Sequence, residues 1–200
     1  MQAVGECALL LGTASAAEAL AVYERVTEAV PDATDVIPGA ETVLVVFPEP
    51  PADEVRAHLA AIEREGAVGS DERAAREHAV PVHYDGPDLE RVAAHAGLGI
   101  SETIDRHAAA RYRVAFVGFQ PGFGYLSGLP EELATPRLPS PRARIPPGSV
   151  AIGGAWSGIY PSESPGGWNL IGRADVLLFD PGAAPPALLS PGDVVRFVPR

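Results

Sequence analysis

Two hydrophobic rhythms divide this chain. Residues 7 to 11, 33 to 37 and 42 to 47 are apolar stretches of strand length, whereas 16 to 30 and 52 to 65 repeat apolar residues every three or four positions. The order is βαββα. A strand at 79 to 83, "AVPVH", either completes a split βαβ, ferredoxin-like sheet with helices on one face or begins the next domain.

Residues 63 to 78 are charged, glycine-punctuated and weakly periodic, so the domain boundary falls there. This gives an α+β N-terminal domain, 1–78, and a second domain, 79–200. The second opens with helices predicted at 87 to 96, starting on Pro87, and at 101 to 110, with Ser101 as N-cap. Beyond Arg111 come short apolar runs at 112 to 117, 149 to 153, 168 to 171, 176 to 179 and 193 to 198, and 14 of the 21 prolines follow residue 117. Short strands between proline and glycine turns predict a compact, mostly-β barrel or sandwich.

Charge sharpens the division. Residues 1 to 110 carry a net −13 and residues 111 to 200 a net +2. The acidic part is ill suited to nucleic acid, which needs a basic face. The chain contains no lysine, which excludes a phosphate-loop lysine and a Schiff base. Its one cysteine, Cys7, reads as a small buried side chain. No apolar run reaches membrane-spanning length and the N-terminus lacks a basic leader, so a cytoplasmic protein with no membrane partner is expected.

Three loops of the second domain gather the chemistry. In "VGFQPGFGYLSGLP", residues 117 to 130, glycines stand beside Gln120, Pro121, Phe123 and Tyr125, a composition suited to a closely approached surface. In "TPRLPSPRARIPPGS", residues 135 to 149, five prolines stiffen the backbone around Arg137, Arg142 and Arg144, so forked donors meet an anion at small entropic cost. The arginines pair either with such an anion or with the chain's own carboxylates. In "GIYPSESPGGWNLIGR", residues 158 to 173, Gly166 and Gly167 permit positive φ and converging backbone N–H groups, with Tyr160 and Trp168 as walls. The plainer reading is a tight turn with Trp168 in the core. Glu163, the one carboxylate of the loop, is a base, an orienter or a solvated side chain.

Among five histidines, His107 is the acid–base candidate, with helix-end and neighbouring positive charge pulling its pKa in opposite directions. His58, His78 and His95 read as surface residues and His83 as structural.

"YDGPDLERVAAHAGL", "GFQPGFGYLSGLPEELATPR", "PRARIPPGSVAIGG", "SGIYPSESPGGWNLIGR" and "LLSPGDVVRFVP", in this order, resemble the family that includes allophanate hydrolase subunit 1, the B-type subunit of 5-oxoprolinase and the KipI kinase inhibitors. The resemblance implies an α+β N-terminal domain followed by a cyclophilin-like β-barrel, similar to the carboxyltransferase portion of urea carboxylases. It implies ATP-dependent opening of 5-oxo-L-proline to L-glutamate by a complex with a homologous second subunit, of the 5-oxoprolinase C-type or allophanate hydrolase subunit 2 kind, and a third 5-oxoprolinase subunit. ATP is then shared with or carried by a partner, and no metal site is evident. His107, Arg142 and Arg144 become candidates for catalysis, and Gln120, Pro121, Phe123, Tyr125, Arg137, Tyr160, Glu163, Gly166, Gly167 and Trp168 for substrate binding. The same resemblance leaves an allophanate or urea-type carboxyltransferase role, the latter with biotin, and inhibition of a sensor histidine kinase as alternatives.

Overall fold

The structure is a computed structural model that describes residues 1–67 and 75–200, so the central part of the 63–78 boundary segment lies outside the described residues. It divides into two compact units, Met1–Ala74 and Ala75–Arg200.

In the first unit, β1 (Gln2–Ala3), β2 (Ala8–Gly12), α1 (Ala16–Ala29), β3 (Asp35–Pro38), β4 (Thr42–Val46) and α2 (Asp53–Glu65) follow one another. The sheet order is β1-β2-β4-β3. Both β2 and β3 run antiparallel to β4, which lies between them. Alternation sends Leu9 and Leu11 of β2 and Val43 and Val45 of β4 to one face, where they share a core with Val22 and Val26 of α1 and Leu59 and Ile62 of α2. Ser15 caps α1 by accepting the Glu18 N–H, and Asp53 and Glu54 favour the start of α2 through its dipole. The fourth position of this sheet is held by β1, not by residues 79 to 83. Cys7, next to β2, is half-buried.

The second unit contains β5 (Glu77–His83), α3 (Leu89–Ala96), α4 (Ile100–Ala109), β6 (Tyr112–Val117), β7 (Gly124–Ser127), β8 (Arg142–Ile145), β9 (Ser149–Gly153), β10 (Trp156–Ile159), β11 (Ser164–Gly166), β12 (Asn169–Ala174) and β13 (Val194–Pro199). Seven strands close a barrel in the order β10-β7-β6-β13-β5-β12-β9, and β8 and β11 form a separate ribbon. Closure leaves the barrel no free edge. Strand β5 belongs here, parallel to β13 and antiparallel to β12, which resolves the alternative left open for "AVPVH".

Strand β9 explains how the barrel supports a site. Val150 and Ile152 join the barrel core while Ala151, pointing the other way, joins a second cluster with Phe123, Ile145, Tyr160, Trp168 and Leu170. The strand is therefore apolar on both faces.

Several boundaries differ from expectation. Residues 176 to 179 form no strand; Phe179 makes only an isolated bridge to Ala187. Helix α4 is capped by Gly99, with Ser101 inside its first turn, and α3 starts two residues after Pro87. Most of the stretch 117 to 130 is a hairpin, with β6 and β7 on either side of a tip at 118–123. His78 is no surface residue: its Nε2 lies 3.1 Å from Asp193, which also binds Arg76 and so joins β5 to the turn before β13. No helix among the described residues is long and apolar enough to cross a membrane.

Candidate functional site

The outer aromatic cluster opens as a small pocket of about 100 Å³ lined by Phe119, Phe123, Tyr125, Arg137, Tyr160, Gly166, Gly167 and Trp168. Residues from all three predicted loops meet here. Phe123 is the hub, with edge-to-face contacts to Tyr125, Tyr160 and Trp168 at ring-centroid separations of 5.1, 5.4 and 5.4 Å. Such contacts fix ring orientation beyond what apolar burial alone achieves. Arg137 lies over Trp168, its guanidinium carbon 5.9 Å from the ring centroid, and has no carboxylate partner among the described residues. It is a cation at the pocket without a counter-ion among the described residues.

The hairpin tip supplies the rim. Phe119 has φ +69° although it is not glycine, and it is 59% exposed. A bulky residue in the left-handed region is a backbone outlier. Gly122, at φ +82°, is required for space as well as conformation, since a Cβ there would lie 2.9 Å from the Leu178 carbonyl oxygen. Gln120 accepts a hydrogen bond from Ser162 at 2.8 Å, while its buried Nε2 has no partner among the described residues. Gln120 and Pro121 line a shallow neighbouring depression that shares Phe119 with the aromatic pocket.

Gly166 and Gly167 act differently from expectation. Neither has positive φ. A Cβ on Gly166 would come 2.5 Å from the Tyr160 hydroxyl, so the glycine admits the phenol. Trp168 is both core and pocket wall. Burial raises the Tyr160 phenol above its ordinary pKa, opposed by the positive charge of Arg137, so the hydroxyl stays protonated and able to donate.

Arg142 and Arg144 sit beside the pocket on β8, whose Arg142 is in register with Gly166 of β11. Both have carboxylate partners. Arg142 donates to Asp88, a buried residue that sequence reasoning missed; its place in "YDGPDLERVAAHAGL", ahead of a helix, was the available signal. Arg144 pairs with Glu163 at 3.1 Å on the surface, which makes Glu163 a partner of arginine in this structure.

His107 is not brought to this group. It is fully buried, stacked on Phe197 at 4.7 Å, with Nδ1 2.8 Å from the Tyr84 hydroxyl and Nε2 3.1 Å from the Ser157 hydroxyl. Burial pushes its pKa down to about 3, overriding both helix end and neighbouring charge, so the imidazole is neutral at ordinary pH. Among the described residues no group of His, Cys, Asp and Glu is placed to hold a metal ion.

Comparison with known proteins fits this arrangement. The chain is 44% identical over 177 residues to the B-type subunit of 5-oxoprolinase from Escherichia coli O157:H7, a match covering 85% of this chain and 79% of that protein. The crystal structure of TTHA0988 superposes with a TM-score of 0.79 at 35% identity, covering 97% of this chain and 40% of that one. Urea amidolyase of K. lactis shares the fold, with a TM-score of 0.75 at 18% identity over all of this chain and 14% of its own. These matches bear out the resemblance carried by the five motifs. The family model for the carboxyltransferase domain, subdomain C and D, matches residues 1–189, and the chain belongs to that family.

Proposed function

We propose that this chain is a cytoplasmic, non-autonomous subunit of an ATP-dependent 5-oxoprolinase, which opens 5-oxo-L-proline to L-glutamate, and that its aromatic pocket is this chain's part of a composite anion-binding site. We read the first unit as a split βαβ sheet of ferredoxin type and the second as a cyclophilin-like barrel. The observation that carries the reading is Arg137, a guanidinium without a carboxylate partner among the described residues, held over Trp168 at the mouth of a small aromatic pocket. The names of the curated relatives supply the substrate.

A five-membered lactam is resonance-stabilised and unreactive towards water. Its carboxylate suits Arg137, and its ring suits a wall of Phe123, Tyr125 and Trp168 that excludes water. The neutral Tyr160 hydroxyl is a donor that orients the substrate in the pocket. ATP supplies the phosphoryl group that activates the lactam oxygen. The aromatic pocket is too small for a nucleotide beside the substrate, so that reactant enters from elsewhere in the assembly, which includes the homologous second subunit and a third subunit. His107, neutral and fully enclosed, serves in this reading to hold Tyr84 and Ser157 in place rather than to touch substrate.

The test is glutamate release from 5-oxoproline by the chain alone, with its homologous subunit, and in the three-protein mixture, each with and without ATP. Turnover is expected only in the complete mixture with ATP. Turnover by the isolated chain overturns the composite site, and an assembled but inert mixture overturns the substrate.

A further inference from the structure

We infer that the open groove beside the β8–β11 ribbon binds an oligophosphate group. The groove has a volume of about 740 Å³ and is lined by Arg142, Arg144 and Arg173, with Asp85 the one carboxylate among the described lining residues and Pro146 and Pro147 as stiff wall. Arg142 and Arg144 alternate along β8 and so share a face, while Arg173 comes from β12. Three arginines from two separate strands thus line one groove.

Their pairing leaves them available. Asp88 holds Arg142 through Nη2 alone, and Arg142 Nη1 is buried with no hydrogen-bond partner among the described residues. The Arg142 side chain as a whole is 30% exposed, so its charge still faces the groove that it lines. Arg144–Glu163 and Arg173–Asp85 are exposed pairs, 76% and 52% accessible in the first and 69% and 52% in the second, so water screens them. A polyanion meeting three guanidinium groups at once displaces two single surface carboxylates. No aromatic ring is among the described residues that line the groove, and its guanidinium groups dominate its chemistry. What it recognises is the phosphate chain, whether that chain comes from a nucleotide or is inorganic.

This inference stands on the groove and does not depend on lactam binding in the aromatic pocket. Calorimetric titration of the full chain with inorganic tripolyphosphate, ATP and adenosine at low ionic strength tests it. Tripolyphosphate and ATP are expected to compete for one site, with adenosine silent. Arg144→Ala and Arg173→Ala should each weaken tripolyphosphate binding about tenfold. Glu163→Gln, which removes a competing carboxylate, should tighten it, a gain that misfolding cannot imitate. The tryptophan fluorescence change produced by 5-oxoproline should persist in Arg173→Ala, separating this site from the pocket. Absence of saturable tripolyphosphate binding, competition by adenosine, or affinity unchanged in both arginine variants overturns the inference. ATP binding without tripolyphosphate binding also overturns it, because recognition would then lie with the base.

Discussion

Arg142 Nη2 donates to Asp88 Oδ1 at 2.8 Å across 54 residues of sequence, and the other Asp88 oxygen accepts the Leu170 N–H at 2.7 Å. One buried carboxylate therefore ties the turn before α3 to both the ribbon and the barrel. Asp88→Ala strands the guanidinium and the amide together. Breaking such a pair from one side should cost about 3 kcal/mol, because the remaining charge loses its compensation. Urea unfolding of the variant should show a lowered midpoint with an unchanged slope. Asp88→Asn, which keeps hydrogen-bonding capacity, should lose less.

Gly166 carries the narrowest steric requirement of the pocket. An added methyl would crowd the Tyr160 hydroxyl at 2.5 Å and Ile145 Cδ1 at 2.7 Å. Gly166→Ala should therefore cost about 1–3 kcal/mol of stability through overpacking and displace the phenol that faces the pocket. In the assembled enzyme, KM for 5-oxoproline should rise with ATP affinity unaffected. An unchanged KM in a destabilised protein would show that the phenol does not meet substrate.

How far the sequence exposed these features depended on the range of the interaction. The helical period of 16 to 30 and the apolar runs 7 to 11, 33 to 37 and 42 to 47 are local, so α1 and three strands of its sheet were legible, whereas β1 was not. The convergence of Phe123, Arg137, Tyr160 and Trp168 was legible as composition, since glycine, proline, aromatic and arginine residues crowd three loops. The partner of each arginine was not, because Asp88 and Arg142 meet only when the barrel closes. Gly166 and Gly167 invited a positive-φ reading, yet Gly166 is fixed by the bulk of Tyr160 rather than by its own torsion. His107 was misjudged electrostatically because its enclosure by Phe197, Tyr112 and Tyr84 is a tertiary property.

That enclosure sets a pH dependence. With a folded pKa of about 3 against an ordinary 6.5, the unfolded chain takes up a proton that the folded chain refuses. The stabilisation from this group is complete above pH 6.5 and is lost progressively as pH falls from 6.5 towards 3. The slope contributed is about 1.4 kcal/mol per pH unit within that window. His107→Gln should be less stable at about pH 8, through poorer packing against Phe197, but should show a shallower loss between about pH 6.5 and 4.5. Parallel stability–pH curves for the two proteins would assign the acid sensitivity to other groups.

Phe119 joins backbone strain to an exposed ring at the pocket rim. Its φ of +69° disfavours any residue with a Cβ, while its ring, 59% exposed, makes edge contacts with Phe123 and Tyr160 at 5.6 and 6.3 Å. The ring therefore recovers little of the conformational cost, and strain retained at a rim points to a demand from ligand or partner rather than from folding. Two substitutions separate the terms. Phe119→Gly removes both ring and strain, whereas Phe119→Ala removes the ring and keeps the Cβ. Glycine should be the more stable of the two by about 1 kcal/mol, the cost of a Cβ in the left-handed region, and should match or exceed the parent protein. In the assembled complex both variants should bind 5-oxoproline or the partner subunit more weakly, since neither presents the aromatic rim. Urea unfolding gives the first comparison, and titration of the complex with 5-oxoproline together with co-purification of the partner gives the second. Unimpaired binding and assembly in both variants would leave the strain without a function, and an alanine variant as stable as glycine would show that the torsion carries no strain.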